Sequence, residues 1–218
     1  MKIYVVGSSK NKFLPLDDIR EKFLIDEKHE GDNIDFLNPW YCELTGLYYL
    51  WKHVDDDIVG LEHYRRYFLT DKYKLLGKSD IENKLKTCDI LCAKTREYTK
   101  TRPVITWINR NKKRFDFDKF LIFCKHYVGQ EYVDECWKIL NGDYHALGNM
   151  FICKKELIDS YCEFIFDVLF TYQEAEKHFG RELPPRIMGY FTEFLFAAWL
   201  NMNHKKIGWQ RWEIKQVR

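Results

Sequence analysis

The sequence has no excess charge of either sign, because 35 Lys and Arg residues stand against 33 Asp and Glu residues. Nucleic-acid-binding proteins usually carry a strong basic excess, so the balance argues against that class. Long apolar runs are also absent: the longest two, at 164–170 and 194–200, are far shorter than the ~20 residues that span a bilayer. We therefore expect a soluble, cytoplasmic protein that is at most peripheral to a membrane.

Several motifs that define other chemistries are missing. The seven cysteines form no Cys-x-x-Cys pair and lie mostly in apolar runs, which indicates reduced, buried thiols rather than a disulfide framework or a structural zinc site. The sequence contains neither a Gly-rich phosphate loop nor a Gly-x-Ser-x-Gly elbow. Nothing in the sequence therefore supports a phosphate loop or a hydrolase triad.

Short apolar strands alternate with helical patterns, which predicts a single α/β domain over residues 1–218. Strands are predicted at 2–6, 58–61, 89–93 and 149–153, with a last strand or an irregular cover at 206–217. Helices are predicted at 17–24, 38–51, 155–175 and 189–201, and residues 97–140 are predicted to be mainly helical. The helix at 38–51 is expected to start with Asn38 as N-cap and Pro39 in its first turn.

The position of each candidate residue relative to its strand indicates whether it can bind a ligand. Ligands of open α/β sheets bind outside the carboxyl ends of the strands. Gly7 ends the first predicted strand and is expected to contact substrate at that edge. The acidic run 55–57 precedes its strand and falls at the opposite edge. Although Mg²⁺ and Mn²⁺ prefer such oxygen ligands, we predict a solvated turn there and no metal site.

The run His63-Tyr64-Arg65-Arg66 directly follows the strand 58–61. Arginine offers planar, forked donors that match phosphate oxygens and offset the charge of a leaving group, so the run is predicted to bind a diphosphate. In an extended run, alternate side chains share a face. We therefore expect either His63 with Arg65, or Tyr64 with Arg66, on one side.

Two carboxylates lie in predicted apolar helices, and each has two interpretations. Glu43 is either a favourable charge in the first turns of its helix or a buried carboxylate that binds a substrate hydroxyl, and we favour the second. Glu193 is either stabilised by the helix dipole or a general base that deprotonates an acceptor hydroxyl. Near the strand at 149–153, His145 is a loop histidine or a substrate ligand, and Asn149 is a cap or a partner of a sugar hydroxyl.

Several segments together resemble a bacterial capsular and exopolysaccharide glycosyltransferase family that was long classed as a domain of unknown function. The segments that carry the resemblance are NPWYCELT at 38–45, GLEHYRRYF at 60–68, NMFICKKE at 149–156 with its continuation at 161–169, and Arg186 with GYFTE at 189–193. Their order and spacing agree over nearly the whole chain. The HYRRYF block is the most specific of them.

The resemblance implies a GT-A-like, Rossmann-like domain with a mixed sheet flanked by helices. It implies transfer of a hexose from a nucleotide sugar, a UDP-sugar first of all, to a saccharide acceptor during surface polysaccharide synthesis. Some relatives are galactofuranosyltransferases, which makes UDP-galactofuranose one candidate donor. The acceptor implied by the family role is lipid-linked and lies at the inner membrane face. Members of the GT-A class usually hold Mn²⁺ or Mg²⁺ with an Asp-x-Asp motif, and the matching position here is His-Tyr-Arg-Arg. No metal ligand is predicted, although a divalent metal stays open as a cofactor, and the hypothesis is that the arginines take over part of its role.

Applied to this sequence, the resemblance gives an inverting mechanism as a hypothesis. Glu193 is the base, while Arg65 and Arg66, assisted by His63, stabilise the departing diphosphate. The remaining residues predicted to bind substrate are Gly7, Asn38, Glu43, Tyr64, His145, Asn149 and Arg186. Three other classes stay open: a nucleotide-sugar or glycan-binding module without catalysis, a nucleic-acid-binding protein, and a nucleotidyl or phosphoryl transferase.

Overall fold

The computed structural model describes residues 1–93, 116–141 and 148–210 together with the backbone of 212–214. Its strands are β1 (Lys2–Gly7), β2 (Arg20–Leu24), β3 (Ile58–His63), β4 (Arg66–Phe68), β5 (Ile90–Ala93), β6 (Phe151–Lys154), β7 (Ile207–Gln210) and β8 (Trp212–Ile214). Its helices are α1 (Asn38–Tyr41), α2 (Leu44–His53), α3 (Lys78–Lys84), α4 (Phe117–Tyr127), α5 (Gln130–Asn141), α6 (Lys155–His178) and α7 (Ile187–Met202), and a 3₁₀ turn (Asp35–Leu37) precedes α1.

Within these ranges the strands form one mixed sheet. Its order is β2-β1-β3-β6-β5-β7, and β4 extends it by pairing with both β3 and β8. β1 runs parallel to β2 and β3, whereas β6 is antiparallel to both β3 and β5. The carboxyl ends of β1, β3 and β5 therefore meet the amino end of β6 at one edge. In an open α/β sheet this is the edge where a ligand is expected.

Helices cover both faces of the sheet, and the alternation of side chains along β1 shows how. Tyr4 and Val6 point into the main core, which α2, α6 and α7 also line, whereas Ile3 points into a smaller core on the other face. Gly46 brings α2 close to β1, since a Cβ at that position would lie 2.8 Å from Cγ2 of Val6. No helix among the described residues is long and apolar enough to cross a membrane.

The helix predicted at 17–24 is wrong, because Arg20–Leu24 forms β2 beside β1. Phe23 enters the main core from this strand, and Arg20 is buried on the side of Glu62. Glu21 and Lys22 between them are exposed. Pairing with β1 and these two buried contacts override the helical preference of a short, charged segment.

The single helix predicted from Asn38 to 51 is also wrong, because the chain breaks it at Cys42. Cys42 has a φ of 52°, in the left-handed region, and separates α1 from α2. Its carbonyl oxygen accepts hydrogen bonds from the Thr45 hydroxyl at 2.8 Å and the Thr45 amide at 3.1 Å, which starts a new helix. Asn38 is the first residue of α1 rather than its cap. The break places Glu43 at the amino end of α2, facing the edge of the sheet.

Candidate active site

The most specific sequence block forms a tight hairpin at the ligand-binding edge. β3 ends at His63, Tyr64 and Arg65 form a two-residue turn, and β4 starts at Arg66. His63 pairs directly with Arg66 across the antiparallel ladder. Both expected pairings of alternate residues are therefore wrong, because the run turns back instead of extending. Residues directly opposite each other on two strands share a face, so His63 and Arg66 act as neighbours.

The base of this hairpin is held by a buried ion pair. Arg20 donates from Nε to Oε2 of Glu62 at 2.7 Å and from Nη2 to Oε1 at 3.0 Å. Oε1 of Glu62 also accepts the amide N–H of Phe68 at 2.9 Å. The carboxylate of Glu62 thus joins β2, β3 and β4. It belongs to the scaffold of the site and is not offered to a ligand.

His63 stands in a strongly cationic environment. Burial, together with the charges of Arg66, Arg65 and Arg186, lowers the pKa of His63 to about 3. The imidazole is therefore neutral at physiological pH. Its ring lies 4.4 Å from the Tyr64 ring, centroid to centroid. Nδ1 of His63 is buried and has no hydrogen-bond partner among the described residues.

Glu193 approaches the same place from α7. Burial and the Glu43 carboxylate raise the pKa of Glu193 to about 8, against the opposing effect of Arg66 and Arg186. The effects of Arg66 on both His63 and Glu193 show that the hairpin and α7 face one common space. A carboxyl group whose pKa lies near neutral pH is typical of a general acid or base.

Glu43 is fixed beside Glu193 by contacts to two other elements. Nδ2 of Asn149 donates to Oε1 of Glu43 at 3.0 Å and lies 3.4 Å from the carbonyl oxygen of Gly189. A Cβ on Gly189 would lie 3.7 Å from Oε2 of Glu43, so the carboxylate rests against the first turn of α7. Glu193 follows Gly189 by four residues and lies on the same face of this helix. Asn149 thus ties α2, β6 and α7 together.

Arg186 caps the other side of the site. It adopts a left-handed conformation with φ of 66° directly before α7, and its amide donates to the carbonyl oxygen of Pro39 at 2.8 Å. Arg186 is exposed, its guanidinium lies 5.6 Å from the centre of the Tyr190 ring, and its charge interacts with Cys42 and Glu43. Burial raises the pKa of the Cys42 thiol to about 11, so the thiol is neutral at physiological pH.

The turn residues and Gly7 form the rim next to β1. The amide of Tyr64 donates to the carbonyl oxygen of Val6 at 2.8 Å. Gly7 permits this approach, since a Cβ there would lie 2.8 Å from Cβ of Tyr64 and 2.8 Å from Cζ of Phe13. Arg65 is exposed, and its guanidinium lies 5.6 Å from the centre of the Tyr64 ring. Arg65 can therefore reach a ligand from solvent, whereas Gly7 has a packing role that the sequence did not indicate.

Two further predicted residues have different outcomes. Asn38 lies on α1, one turn before Cys42, and its backbone oxygen accepts the Cys42 amide at 2.9 Å. Oδ1 of Asn38 is buried without a hydrogen-bond partner among the residues that the structure describes, which leaves an acceptor for a ligand hydroxyl. His145 lies outside the described residues.

Sequence reasoning missed two residues of this site. Gly148 has a φ of 94°, and a Cβ on it would lie 3.2 Å from Nη1 of Arg66. A glycine next to a candidate polar residue, Asn149, was the signal that could have found it. Cys42, with its left-handed backbone and its contact to Arg186, had no signal in the sequence, because a cysteine rarely adopts that conformation.

The residues at the end of β3 do not suit a divalent cation. Where an Asp-x-Asp motif would supply oxygen ligands, His63, Arg65 and Arg66 supply one neutral imidazole and two cations. Across the described ranges, no group of three or more His, Cys, Asp or Glu side chains is placed to hold a metal ion. The acidic run 55–57 lies at the opposite edge, where Asp56 contacts the amino group of Met1.

The fold defines the class of the molecule. The chain superposes with a TM-score of 0.78 on the apo structure of the WbbM bifunctional glycosyltransferase, over 99% of this chain and 45% of that one, at 20% sequence identity. It therefore shares the Rossmann-like α/β fold of a glycosyltransferase and spans less than half of that protein's length. The chain belongs to the family described as a domain of unknown function, DUF4422, whose match covers residues 2–205. No curated protein matches the chain.

Proposed function

We propose that the chain is a hexosyltransferase that moves a sugar from a nucleotide donor to a saccharide acceptor. One observation carries the proposal: Glu193, with its pKa raised to about 8, shares the edge of the sheet with the Arg66 and Arg186 guanidinium groups. Sugar transfer from a nucleotide donor needs both parts. A base must take the proton of the acceptor hydroxyl, and a cationic group must stabilise the departing diphosphate.

The diphosphate would lie against the hairpin between β3 and β4. Arg65 and Arg66 supply forked donors there, and Arg186 faces them from the start of α7. His63 adds a neutral hydrogen-bonding group to this cationic side. The ring of Tyr64 at the rim offers a flat surface to the nucleotide.

Glu193 would act on the acceptor. Its carboxylate takes the proton of the acceptor hydroxyl, the hydroxyl oxygen attacks the anomeric carbon, and the bond from that carbon to the diphosphate oxygen breaks. An attack from the side opposite the leaving group inverts the anomeric configuration. A base with a pKa of about 8 is strong enough to remove the proton and is still ionised in part near neutral pH. Oδ1 of Asn38 and the far oxygen of Glu43 would hold donor or acceptor hydroxyl groups.

The arginines would take over the charge-neutralising part that a divalent cation has in other GT-A enzymes. Arg65, Arg66 and Arg186 bring three positive charges to the position where the diphosphate is expected, and the residues at the end of β3 are not metal ligands. The proposed reaction is therefore insensitive to chelators.

The proposed donor is a UDP-sugar, with UDP-galactofuranose as one candidate, and the proposed acceptor is a growing surface polysaccharide attached to a lipid. These finer assignments rest on the family resemblance. A lipid-linked acceptor would bring the enzyme to the inner membrane face. Phe36 suits such a contact, since its side chain is 74% exposed just before α1. Co-sedimentation with anionic vesicles, compared between the protein and its F36S variant, tests that placement.

The first experiment measures UDP release from a panel of UDP-sugars, with and without acceptor saccharides and with and without EDTA. Release that depends on acceptor and survives EDTA is the expected result. If EDTA abolishes release, the chain is still a transferase, but the proposal that the arginines replace a divalent cation is rejected. Binding of a UDP-sugar without release, across all acceptors, would favour the alternative of a non-catalytic binding module. The E193Q variant is the matched control, because it should bind donor without turning it over.

A further inference from the structure

We propose that His63 takes up a proton when a nucleotide diphosphate binds, and that the resulting imidazolium donates a hydrogen bond to the diphosphate through Nδ1. The inference rests on the proposed function, since it concerns the ligand of the same site. In this proposal His63 is neutral in the free protein and becomes positively charged when the substrate binds, in addition to Arg65, Arg66 and Arg186.

The first observation is the unused ring nitrogen. His63 is the last residue of β3 and stands opposite Arg66 across the hairpin. Nδ1 is buried and has no hydrogen-bond partner among the residues described by the structure. A buried polar atom without a partner is unfavourable, so binding of a ligand that supplies the partner is favoured. A phosphate oxygen supplies an acceptor, and Nδ1 must carry a proton to donate to it. When Nε2 keeps its own proton, the proton on Nδ1 is an additional one and the ring becomes an imidazolium.

The second observation is the set of charges around the ring. Arg66 faces His63 from β4, Arg65 from the turn and Arg186 from the start of α7, and all three disfavour the imidazolium. The ring of Tyr64 lies beside the imidazole, tilted by 38°. Glu193 and Glu43 interact with the same arginines from α7 and α2, and the adjacent Glu62 is bound to Arg20. In the free protein, burial and these cations together therefore keep His63 neutral.

Binding of a diphosphate reverses this balance. A UDP-sugar carries two negative charges on its diphosphate, and these compensate the guanidinium groups while they attract a proton to Nδ1. An opposite charge within hydrogen-bond distance in a partly buried site shifts a pKa by several units, in this case upwards from about 3. The proton comes from solvent on binding. When the bond to the anomeric carbon breaks, the leaving diphosphate gains one negative charge, and the imidazolium faces it. The proton returns to solvent when the nucleotide leaves.

Glu193 also responds to a bound anion, and the choice of pH separates the two groups. With a pKa of about 8, Glu193 is already protonated at pH 6 and takes up no further proton there. His63, with its pKa lowered to about 3, is neutral at pH 6 before the ligand binds. Proton uptake at pH 6 therefore reports on His63. A UDP-sugar is the suitable probe, because it lacks the terminal phosphate of UDP, which itself titrates near that pH.

The test is isothermal titration calorimetry at pH 6 with the UDP-sugar that binds most tightly in the release panel, in two buffers of different ionisation enthalpy. The difference in apparent binding enthalpy gives the number of protons taken up. We expect about one proton for the protein and for its E193Q variant, and about zero for H63Q. The matched control is H126Q, because His126 is exposed on α4, and it should keep the uptake of the unaltered protein.

The affinity provides a second readout. Between the pKa of about 3 of His63 in the free protein and its raised pKa in the complex, binding should weaken by up to about tenfold for each pH unit, and H63Q should lose this dependence. If H63Q does not fold, the ¹⁵N chemical shifts of His63 in the unaltered protein, with and without the UDP-sugar, give the same answer. Tight binding without proton uptake, or equal uptake in H63Q, would overturn the inference and leave the proposed function standing. A protein that binds no UDP-sugar of the panel would overturn both.

Discussion

Arg20 and Glu62 form a two-pronged ion pair in which both side chains are fully buried, with N–O distances of 2.7 and 3.0 Å. The pair connects β2 to β3, and the Phe68 amide extends it to β4. Nη1 of Arg20 also contacts Asp17 at 2.7 Å and the carbonyl oxygen of Leu76 at 3.2 Å. All three guanidinium nitrogens of Arg20 and both carboxylate oxygens of Glu62 therefore have hydrogen-bond partners. The hairpin that bears His63 and Arg66 is therefore held in place by this buried ion pair as well as by apolar packing.

Removal of one member of this pair should destabilise the whole protein. The R20M variant leaves the Glu62 carboxylate buried without its counter-ion, which typically lowers the free energy of unfolding by about 3–5 kcal/mol. Urea denaturation at pH 7 measures the change. The exposed pair of Lys177 and Glu174, with N and O 3.6 Å apart, is the control, and K177A should leave the midpoint unchanged. An R20M midpoint equal to that of the unaltered protein would contradict the role of the buried pair, and R20M/E62M should recover part of the loss.

The E193Q variant tests the proposed base. Gln keeps the size and hydrogen-bonding capacity of the side chain but cannot accept the proton, so kcat should fall by about 10²–10⁴-fold while donor affinity stays within a few fold. Initial rates of UDP release and titration calorimetry with the donor separate the two effects. E163Q, at an exposed position on α6, should keep full activity. Turnover by E193Q equal to that of the unaltered protein would eliminate Glu193 as the base.

The pH profile of activity tests the link between Glu43 and Glu193. Because the base must be ionised, kcat/KM for the acceptor, measured at saturating donor, should rise with pH and level off above about pH 8. The negative charge of Glu43 raises the pKa of Glu193, so E43Q should lower that pKa and shift the rising limb to lower pH. E163Q should not move the limb. If the rising part of the profile lies at the same pH in E43Q as in the unaltered protein, the two carboxylates do not interact, whatever the change in maximal rate.

The raised pKa of Glu193 also predicts how stability depends on pH. In the folded protein the group keeps its proton up to about pH 8, whereas in the unfolded chain it ionises near its ordinary value of 4.5. The unfolded state therefore binds fewer protons between these values, and stability falls as the pH rises, by up to about 1.4 kcal/mol per pH unit. E193Q lacks this penalty, so its melting temperature should exceed that of the unaltered protein at pH 8 and match it at pH 4. A lower melting temperature for E193Q at pH 8 would contradict the prediction.

The sequence predicted the parts of the fold that depend on local pattern, and it failed where long-range contacts decide. The α/β alternation, the long helix at α6 and the edge at which His63 lies follow from apolar periodicity and from the rule for strand ends. The strand at Arg20 depends on Glu62, which lies 42 residues away in the chain. The break at Cys42 requires a left-handed cysteine, which no local preference favours. Of the site, residue types and their edge were predictable, but the direct pairing of His63 with Arg66 required the register of the hairpin.

Gly148 offers a direct test of how Arg66 is positioned. A Cβ at Gly148 would lie 3.2 Å from Nη1 of Arg66, so G148A should push the guanidinium by a few tenths of an ångström and weaken donor binding by about three- to tenfold. Since φ is 94° at this position, the variant also strains the backbone. G180A is the matched control, because Gly180 has a φ of 66° but nothing within 4 Å of an added Cβ. Both variants should lose a similar amount of stability, about 1 kcal/mol, in thermal denaturation. Only G148A should raise the dissociation constant of the UDP-sugar, and an equal rise in G180A would attribute the effect to backbone strain instead of to Arg66.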